Sequence, residues 1–169
     1  YKRQGLHRPR SPRWLGLLPL TILSALAGGA WFFPSLRGHP SYGVAPWAGV
    51  AVVLLAAVGV ELLFRGAAFG ILATSYPVFA RKAGRWFSVP NLVTTMLFTV
   101  ASIALFAPPP WSMSIGGSAG GIALWVAASL TLGLTCGVAR EHSGSVAAPA
   151  ILHGTSAAIA WWVLSLVGG

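Results

Sequence analysis

The chain has 169 residues, of which 56% are hydrophobic and only 8% are charged. Soluble domains carry about 25% charged residues, so this composition indicates an integral membrane protein. The net charge of +9 lies mostly in clusters that flank apolar runs, which predicts contact with a lipid bilayer and argues against nucleic acid as a partner. Because Cys136 is the only cysteine, an intramolecular disulfide and a multi-cysteine metal site are excluded.

The apolar runs predict an all-α fold, a polytopic membrane helix bundle with about five transmembrane helices. A basic cytoplasmic arm at 1–13 precedes a single transmembrane domain at 14–169. The first span, 14–33, has tryptophan at both ends, as membrane interfaces favour. The other four spans follow in chain order at 44–60, 90–107, 121–138 and 146–167.

Apolar character does not stop at the end of the second span but continues to about residue 79. At about 1.5 Å per residue, a helix over 44–79 would measure about 54 Å, whereas the hydrocarbon core is about 30 Å thick. The stretch is therefore either two crossings or one crossing followed by a bent or interfacial helix near 66–79. One crossing places the basic residues of 81–85 on the same side as those of the N-terminal arm, as the positive-inside rule requires. We therefore expect one crossing, in a bacterial inner membrane protein with its N-terminus in the cytoplasm.

One of the two acidic residues, Glu61, lies at the end of the second apolar run, where an uncompensated charge is costly. Arg65 follows four residues later, one helical turn away and in the favourable order for an ion pair. The spacing predicts a structural ion pair that neutralises both charges and ties neighbouring helices together. The alternative is that Glu61 belongs to a catalytic site. Ser102 and His153 fall in the same half of the predicted bundle, and we expect them to approach Glu61.

Three tracts of the sequence form an ordered set of motifs. They are VELLFRG at 60–66, NLVTTMLFTVAS at 91–102 and REHSGSVAAPAILH at 140–153. In this order and spacing the chain resembles the CPBP family, the CAAX-protease and bacteriocin-processing (Abi) intramembrane endopeptidases, over a core of about 50–165. The signatures of that family are E-E-x-x-x-R, F-x-x-x-H and H-x-x-x-N. The resemblance implies a bundle of membrane helices whose three motifs form an endopeptidase site.

The chain departs from these signatures at three positions, so the resemblance implies a degenerate site. Val60 stands where the family has its first glutamate, Ser102 where it has the histidine of the second motif, and Ala157 where it has the final polar residue. In the family, as the resemblance implies, a glutamate and a histidine activate water, and a histidine and an amide stabilise the oxyanion. Neither valine nor alanine can perform these tasks. The residues that remain of the signatures are Glu61, Arg65 and His153.

These residues leave three functions open. The degenerate motifs favour a pseudoprotease that serves as an interaction or structural subunit of a membrane complex, or that holds a hydrophobic or prenylated peptide without cutting it. The alternative is an active intramembrane endopeptidase of CAAX-protease type in which Glu61 and His153 carry residual catalysis. A third reading is a pigment- or tetrapyrrole-contacting subunit with His153 as the ligand.

No cofactor is otherwise predicted, and no metal site, because Glu61 and His153 lack a third ligand. The simplest role for His153 is that of a neutral imidazole, hydrogen-bonded across helices to Glu61 or Ser102.

Overall fold

The structure, a computed structural model, describes residues 12–36, 46–75, 88–106 and 119–168. All of the regular elements in these ranges are helices, which confirms the predicted all-α bundle. A short 3₁₀ helix at Pro12–Leu17 leads into the first of them. The elements that follow in chain order are α1 Leu18–Leu36, α2 Pro46–Glu61, a π-helix Leu62–Ala68, α3 Phe69–Ser75, α4 Val89–Phe106, α5 Ala119–Ser143 and α6 Ala147–Gly168.

Within the part of the chain that the structure describes, four helical segments are long and apolar enough to cross a membrane. They are Arg13–Ala30, Trp47–Ser75, Gly120–Ser143 and Ala147–Leu166. The span predicted at 90–107 corresponds to a shorter apolar helix, Val89–Ala104. The chain is therefore an integral membrane protein, and its apolar helix at Val89–Ala104 is shorter than these four segments.

The shorter helix, α4, is amphipathic, and its polar face lies inside the bundle. Its buried polar side chains are Asn91, Thr94, Thr95, Thr99 and Ser102. The opposite face exposes Leu92, Met96 and Val100. Hydroxyl groups on the buried face donate to carbonyls of their own helix, as Thr94 Oγ1 does to Pro90 O at 2.8 Å. Thr94 and Ser102 are satisfied within their own helix in this way, whereas Oγ1 of Thr99 and Nδ2 of Asn91 are buried without a hydrogen-bond partner.

The long second apolar run is one continuous helical stretch from Pro46 to Ser75. α2, the π-helix and α3 follow one another without a break, which favours one crossing over two. The winding changes within the tract that contains Glu61 and Arg65, where the π-helix begins. The predicted bent or interfacial segment extends to 79, and residues 76–79 lie outside the described residues.

Helix α5 extends beyond residue 138, where its span was predicted to end. Arg140 and Glu141 follow the predicted span, and charged residues are costly in a membrane unless they have partners. Both side chains have partners within the protein. Arg140 Nε donates to the Arg65 carbonyl at 3.1 Å, and Glu141 Oε1 accepts from the backbone N–H of Ser88 at 3.3 Å. The helix continues because neighbouring segments supply these polar contacts.

Small residues allow close helix contact. α2 packs against α6, α4 against α5, and α1 against both α5 and α6. A Cβ at Gly137 would lie 1.6 Å from Oδ1 of Asn91, so the Asn91 side chain of α4 packs directly on the backbone of α5. A Cβ at Gly49 would likewise lie 2.2 Å from the ring of Trp161, on α6. Glycines at membrane helix interfaces commonly serve this purpose.

Some predicted features lie outside the described residues. The basic arm at 1–13 is described only from residue 12 onward, and the basic residues of 81–85 are not described. The sidedness of the bundle, with its N-terminus in the cytoplasm, therefore remains a prediction.

Candidate functional site

A buried carboxylate and an imidazole meet where α2 ends. Glu61, the last residue of α2, is 1% exposed. Its Oε1 lies 2.8 Å from Nδ1 of His153, which sits in the second turn of α6 and is 12% exposed. This distance is that of a strong charge-assisted hydrogen bond. The contact joins α2 to α6 in the interior of the bundle.

Arg65 extends this contact to α5 and completes the Glu61 cluster, which consists of Glu61, Arg65 and His153. Its Nε lies 3.5 Å from Oε2 of Glu61, and its Nη2 donates to the carbonyl of Gly133 at 2.6 Å. Arg65 is fully buried. A Cβ at Gly133 would lie 3.2 Å from Nη2 of Arg65 and 2.8 Å from Cγ2 of Thr95, so glycine lets the guanidinium reach the backbone. The charge pair thus connects three helices.

The ring of Phe98 forms an aromatic wall against the cluster. The guanidinium carbon of Arg65 lies 5.2 Å from the centre of the Phe98 ring, a cation–π distance. The rings of Phe98 and His153 meet edge to face at 5.8 Å, and Phe64 meets Phe98 in the same way at 5.8 Å. This wall lowers the local dielectric and orients the imidazole.

The three departures from the family signatures lie around this cluster but contribute no ionisable group to it. Val60 packs against the hydrophobic core. Ser102 Oγ donates to the Thr99 carbonyl at 2.9 Å and lies 3.2 Å from Oγ of Ser129. Ala157 lies one turn after the cluster histidine on α6 and is partly buried. The structure brings Glu61, Arg65 and His153 into contact, whereas the hydrogen bonds of Ser102 go to other residues.

The chemistry open to this arrangement is narrow. An ionised Glu61 only accepts hydrogen bonds, so it can hold His153 in one orientation and balance the charge of Arg65. Cys136 is fully buried beside the same carboxylate, and its thiol faces the Pro149 carbonyl at 3.9 Å. Among the described residues, no set of three or more His, Cys, Asp or Glu side chains can hold a metal ion. Tetrapyrrole ligation by His153 stays a prediction, and the absorption spectrum of the purified protein tests it.

Sequence reasoning missed one residue of the site, Arg140. In the sequence it stands at the start of the third motif with no role assigned to it, yet it is 4% exposed and bonded to the backbone of Arg65. Its guanidinium also lies 5.7 Å from the ring centre of Phe69. The available signal in the sequence was that Arg140 follows Gly133 by seven residues. Residues seven apart lie on the same face of a helix, so both positions of α5 can contact Arg65.

Comparison with known proteins places the chain in a family. A model described as type II CAAX prenyl endopeptidase, Rce1-like, matches residues 42–159, more than half of the chain. A search of curated proteins found no match, and a search of solved structures found none either. The matched range contains all three motifs and the whole Glu61 cluster, in agreement with the resemblance to CPBP proteins. The chain belongs to the Rce1-like family of type II CAAX prenyl endopeptidases.

Proposed function

We propose that this protein is a pseudoprotease, a member of the family that no longer cleaves peptides and acts as an interaction or structural subunit in the membrane. The observation that supports this most directly is the state of Glu61. Its carboxylate is almost wholly buried, and it is already engaged by His153 at 2.8 Å and by Arg65 at 3.5 Å. A group held in this way stabilises other side chains and has little freedom to activate water.

The residues that would complete a catalytic site are absent in this reading. Valine at position 60 cannot accept a proton, and alanine at 157 cannot donate a hydrogen bond to an oxyanion. Losing one such group lowers a rate by about 100-fold or more, and losses within one catalytic unit are not made good by the others. Ser102 has a hydroxyl, but that hydroxyl donates to the Thr99 carbonyl.

The cluster itself is well suited to a structural role. It fastens α2 to α5 and α6 through two ionisable side chains that would each be costly if left alone at low dielectric. Retention of Glu61, Arg65 and His153 is therefore expected without catalysis. Removing Glu61 or Arg65 would leave the other charge buried and unbalanced, and removing His153 would leave Oε1 of Glu61 without its hydrogen bond. The scaffold that results can hold partner subunits, or a hydrophobic or prenylated peptide that it does not cut. We place it in the bacterial inner membrane with its N-terminus in the cytoplasm.

Reconstitution into lipid vesicles tests the loss of catalysis. The vesicles would carry a prenylated, membrane-tethered reporter peptide, with an Rce1-like enzyme that retains both glutamates of the first motif as the positive control. We expect the positive control to release the reporter and this protein to release none. Release at a comparable rate would overturn the proposal.

One observation favours the alternative of an active endopeptidase. His153 is 12% exposed and keeps a second ring nitrogen beyond its bond to Glu61, so the pair resembles an oriented histidine base. In that case both Glu61→Gln and His153→Ala abolish release in the vesicle assay. Leu63→Ala, which trims an exposed side chain close to the cluster, serves as the matched control. Release that survives His153→Ala would reject this alternative.

The subunit role has its own test. The protein would be tagged and extracted from its native membrane into lipid nanodiscs, and the particles would be weighed by native mass spectrometry. We expect particles that contain further membrane subunits in fixed ratio. Recovery of this chain alone would count against a role as a complex subunit.

A further inference from the structure

The backbone at the Glu61 cluster departs from regular α-helix in a way that leaves one carbonyl group without its α-helical donor. In an α-helix the N–H of Phe69 would donate to the carbonyl of Arg65, four residues earlier. Here that N–H donates to the carbonyls of Gly66 and Phe64. The bond to Phe64 is the one that defines a π-helix, and such turns occur often at functional sites. The Arg65 carbonyl has therefore lost its α-helical donor.

Arg140 supplies a donor to that carbonyl. Its Nε lies 3.1 Å from the Arg65 oxygen, and its guanidinium carbon lies over the ring of Phe69 at 5.7 Å. Arg140 is 4% exposed, so this is an interior contact and not a surface one. One side chain thus touches both residues whose mutual hydrogen bond the π-helix has broken.

Helix α5 holds Arg65 at two points. The Gly133 carbonyl accepts from the side chain of Arg65, and the Arg140 side chain donates to its backbone. Positions 133 and 140 are two turns apart on one face of α5. A residue gripped at both its backbone and its side chain has one orientation, and Glu61 and His153 are aligned through it.

We propose that Arg140 is a positioning residue of the Glu61 cluster and acts by stabilising the π-helix. Without the Arg140 Nε–H, the Phe69 N–H returns to the Arg65 carbonyl and the wide turn closes to α-helical geometry. The π-helix accommodates one residue more per turn than an α-helix. Its return to α-helical winding therefore rotates the helix on one side of the turn by about 100° relative to the other side. Arg65 then loses its alignment with Glu61. This inference rests on the geometry of the cluster and holds whether or not the protein cleaves peptides.

Solid-state NMR in lipid bilayers can observe the carbonyl directly. With [1-¹³C]arginine and [¹⁵N]glycine labels, carbonyl–nitrogen coupling selects Arg–Gly peptide bonds. The sequence has two of these, Arg37–Gly38 and Arg65–Gly66, and the Arg37→Lys variant identifies the first. [¹⁵N]histidine labelling reports the ring nitrogens of His153, which are identified with His153→Gln.

Two substitutions separate the hydrogen bond from the charge. Arg140→Gln and Arg140→Met both remove the charge, but glutamine retains an N–H at the same number of bonds from Cα as Nε. His142→Gln, an exposed change in the last turn of the same helix, is the control. We expect Arg140→Met to shift the Arg65 carbonyl signal, because the donor to that carbonyl changes from the guanidinium to the Phe69 N–H, and to move the His153 nitrogen signals. We expect Arg140→Gln and the control to stay close to wild type.

Two results would overturn the proposal. One is a wild-type spectrum from Arg140→Met, and the other is an Arg140→Gln spectrum shifted as far as that of Arg140→Met. Should Arg140→Met fail to fold, Arg140→Gln alone decides, because a displaced Arg65 carbonyl signal in that variant contradicts the proposed role.

Discussion

His153 Nδ1 lies 2.8 Å from Oε1 of Glu61, a contact that spans 92 positions in the sequence and joins α6 to the end of α2. Because an ionised carboxylate can only accept, Nδ1 carries the proton in this pair. The imidazole is therefore held in one tautomer by a group that is itself balanced by Arg65. The first prediction tests how far the stability of the bundle depends on this carboxylate.

Replacing Glu61 with glutamine is expected to destabilise the fold by about 3–5 kcal/mol, the range seen when one partner of a buried ion pair is removed. Arg65 is fully buried, so its charge would remain in the bundle without the carboxylate. The free energy of unfolding in bicelles, obtained by steric trapping, measures the effect.

The double variant Glu61→Gln, Arg65→Met supplies the control for charge imbalance. We expect it to be more stable than Glu61→Gln alone, because it buries no unbalanced cation. Equal stability of Glu61→Gln and wild type would show that the ion pair of Glu61 and Arg65 does not stabilise the bundle.

Gly137→Ala is expected to lower stability by about 1–3 kcal/mol, the usual effect of overpacking a close contact. The added methyl would lie 1.6 Å from Oδ1 and 2.2 Å from Cγ of Asn91, so α4 must move or the side chain must change rotamer. Thermal unfolding followed by circular dichroism checks the direction.

Gly59→Ala is the matched control, because a Cβ there meets nothing within 4 Å. Alanine is favoured over glycine in a helix by about 1 kcal/mol, so this variant should be as stable as wild type or slightly more so. A loss in Gly59→Ala as large as that in Gly137→Ala would refute the explanation by close contact.

A hydroxyl pair joins α1 to α6. Ser156 Oγ donates to Thr21 Oγ1 at 2.7 Å, and Thr21 Oγ1 donates to the Leu18 carbonyl at 2.9 Å. A double-mutant cycle of Thr21→Val and Ser156→Ala should give a coupling free energy of about 0.6 kcal/mol, and no more than about 1.7 kcal/mol, as for other hydrogen bonds between membrane helices. Additive effects of the two substitutions would mean that the pair contributes no coupling.

The two ends of α5 should lie on opposite sides of the membrane. In a Cys136→Ser background, His142→Cys is expected to react with a membrane-impermeant maleimide only from the cytoplasmic side, and Gly120→Cys only from the outer side. Both positions are exposed, so access to the reagent is matched. Labelling of both from one side would contradict a transmembrane α5, and the reverse pattern would invert the predicted orientation.

Local patterns predicted most of the fold. A 20-residue apolar run is long enough to cross a bilayer whatever surrounds it, so four of the spans follow from length and hydropathy. Helix α5 runs to Ser143, past the span predicted at 121–138, and hydropathy alone treats Arg140 as a charge in contact with solvent or headgroups. Its partner, the carbonyl of Arg65, is 75 positions away in sequence and is invisible to any local pattern.

The candidate site, too, was predicted only in part from local patterns in the sequence. Spacing along one helix predicted that Glu61 and Arg65 would pair, and motif order predicted that His153 would belong with them. Neither indicates that the backbone between Glu61 and Phe69 is a π-helix, since that winding is held by a side chain from another helix.

The sequence by itself determined that this is a helical membrane protein of a recognisable family, with one charged tract in an apolar run. Those properties depend on composition and on spacings within single helices. Only the tertiary structure decided that Glu61 meets His153, that Arg65 reaches the Gly133 carbonyl and that Arg140 donates to the Arg65 carbonyl. These contacts depend on how each helix is rotated about its axis, and that rotation is set by close packing at small residues and by the π-helix.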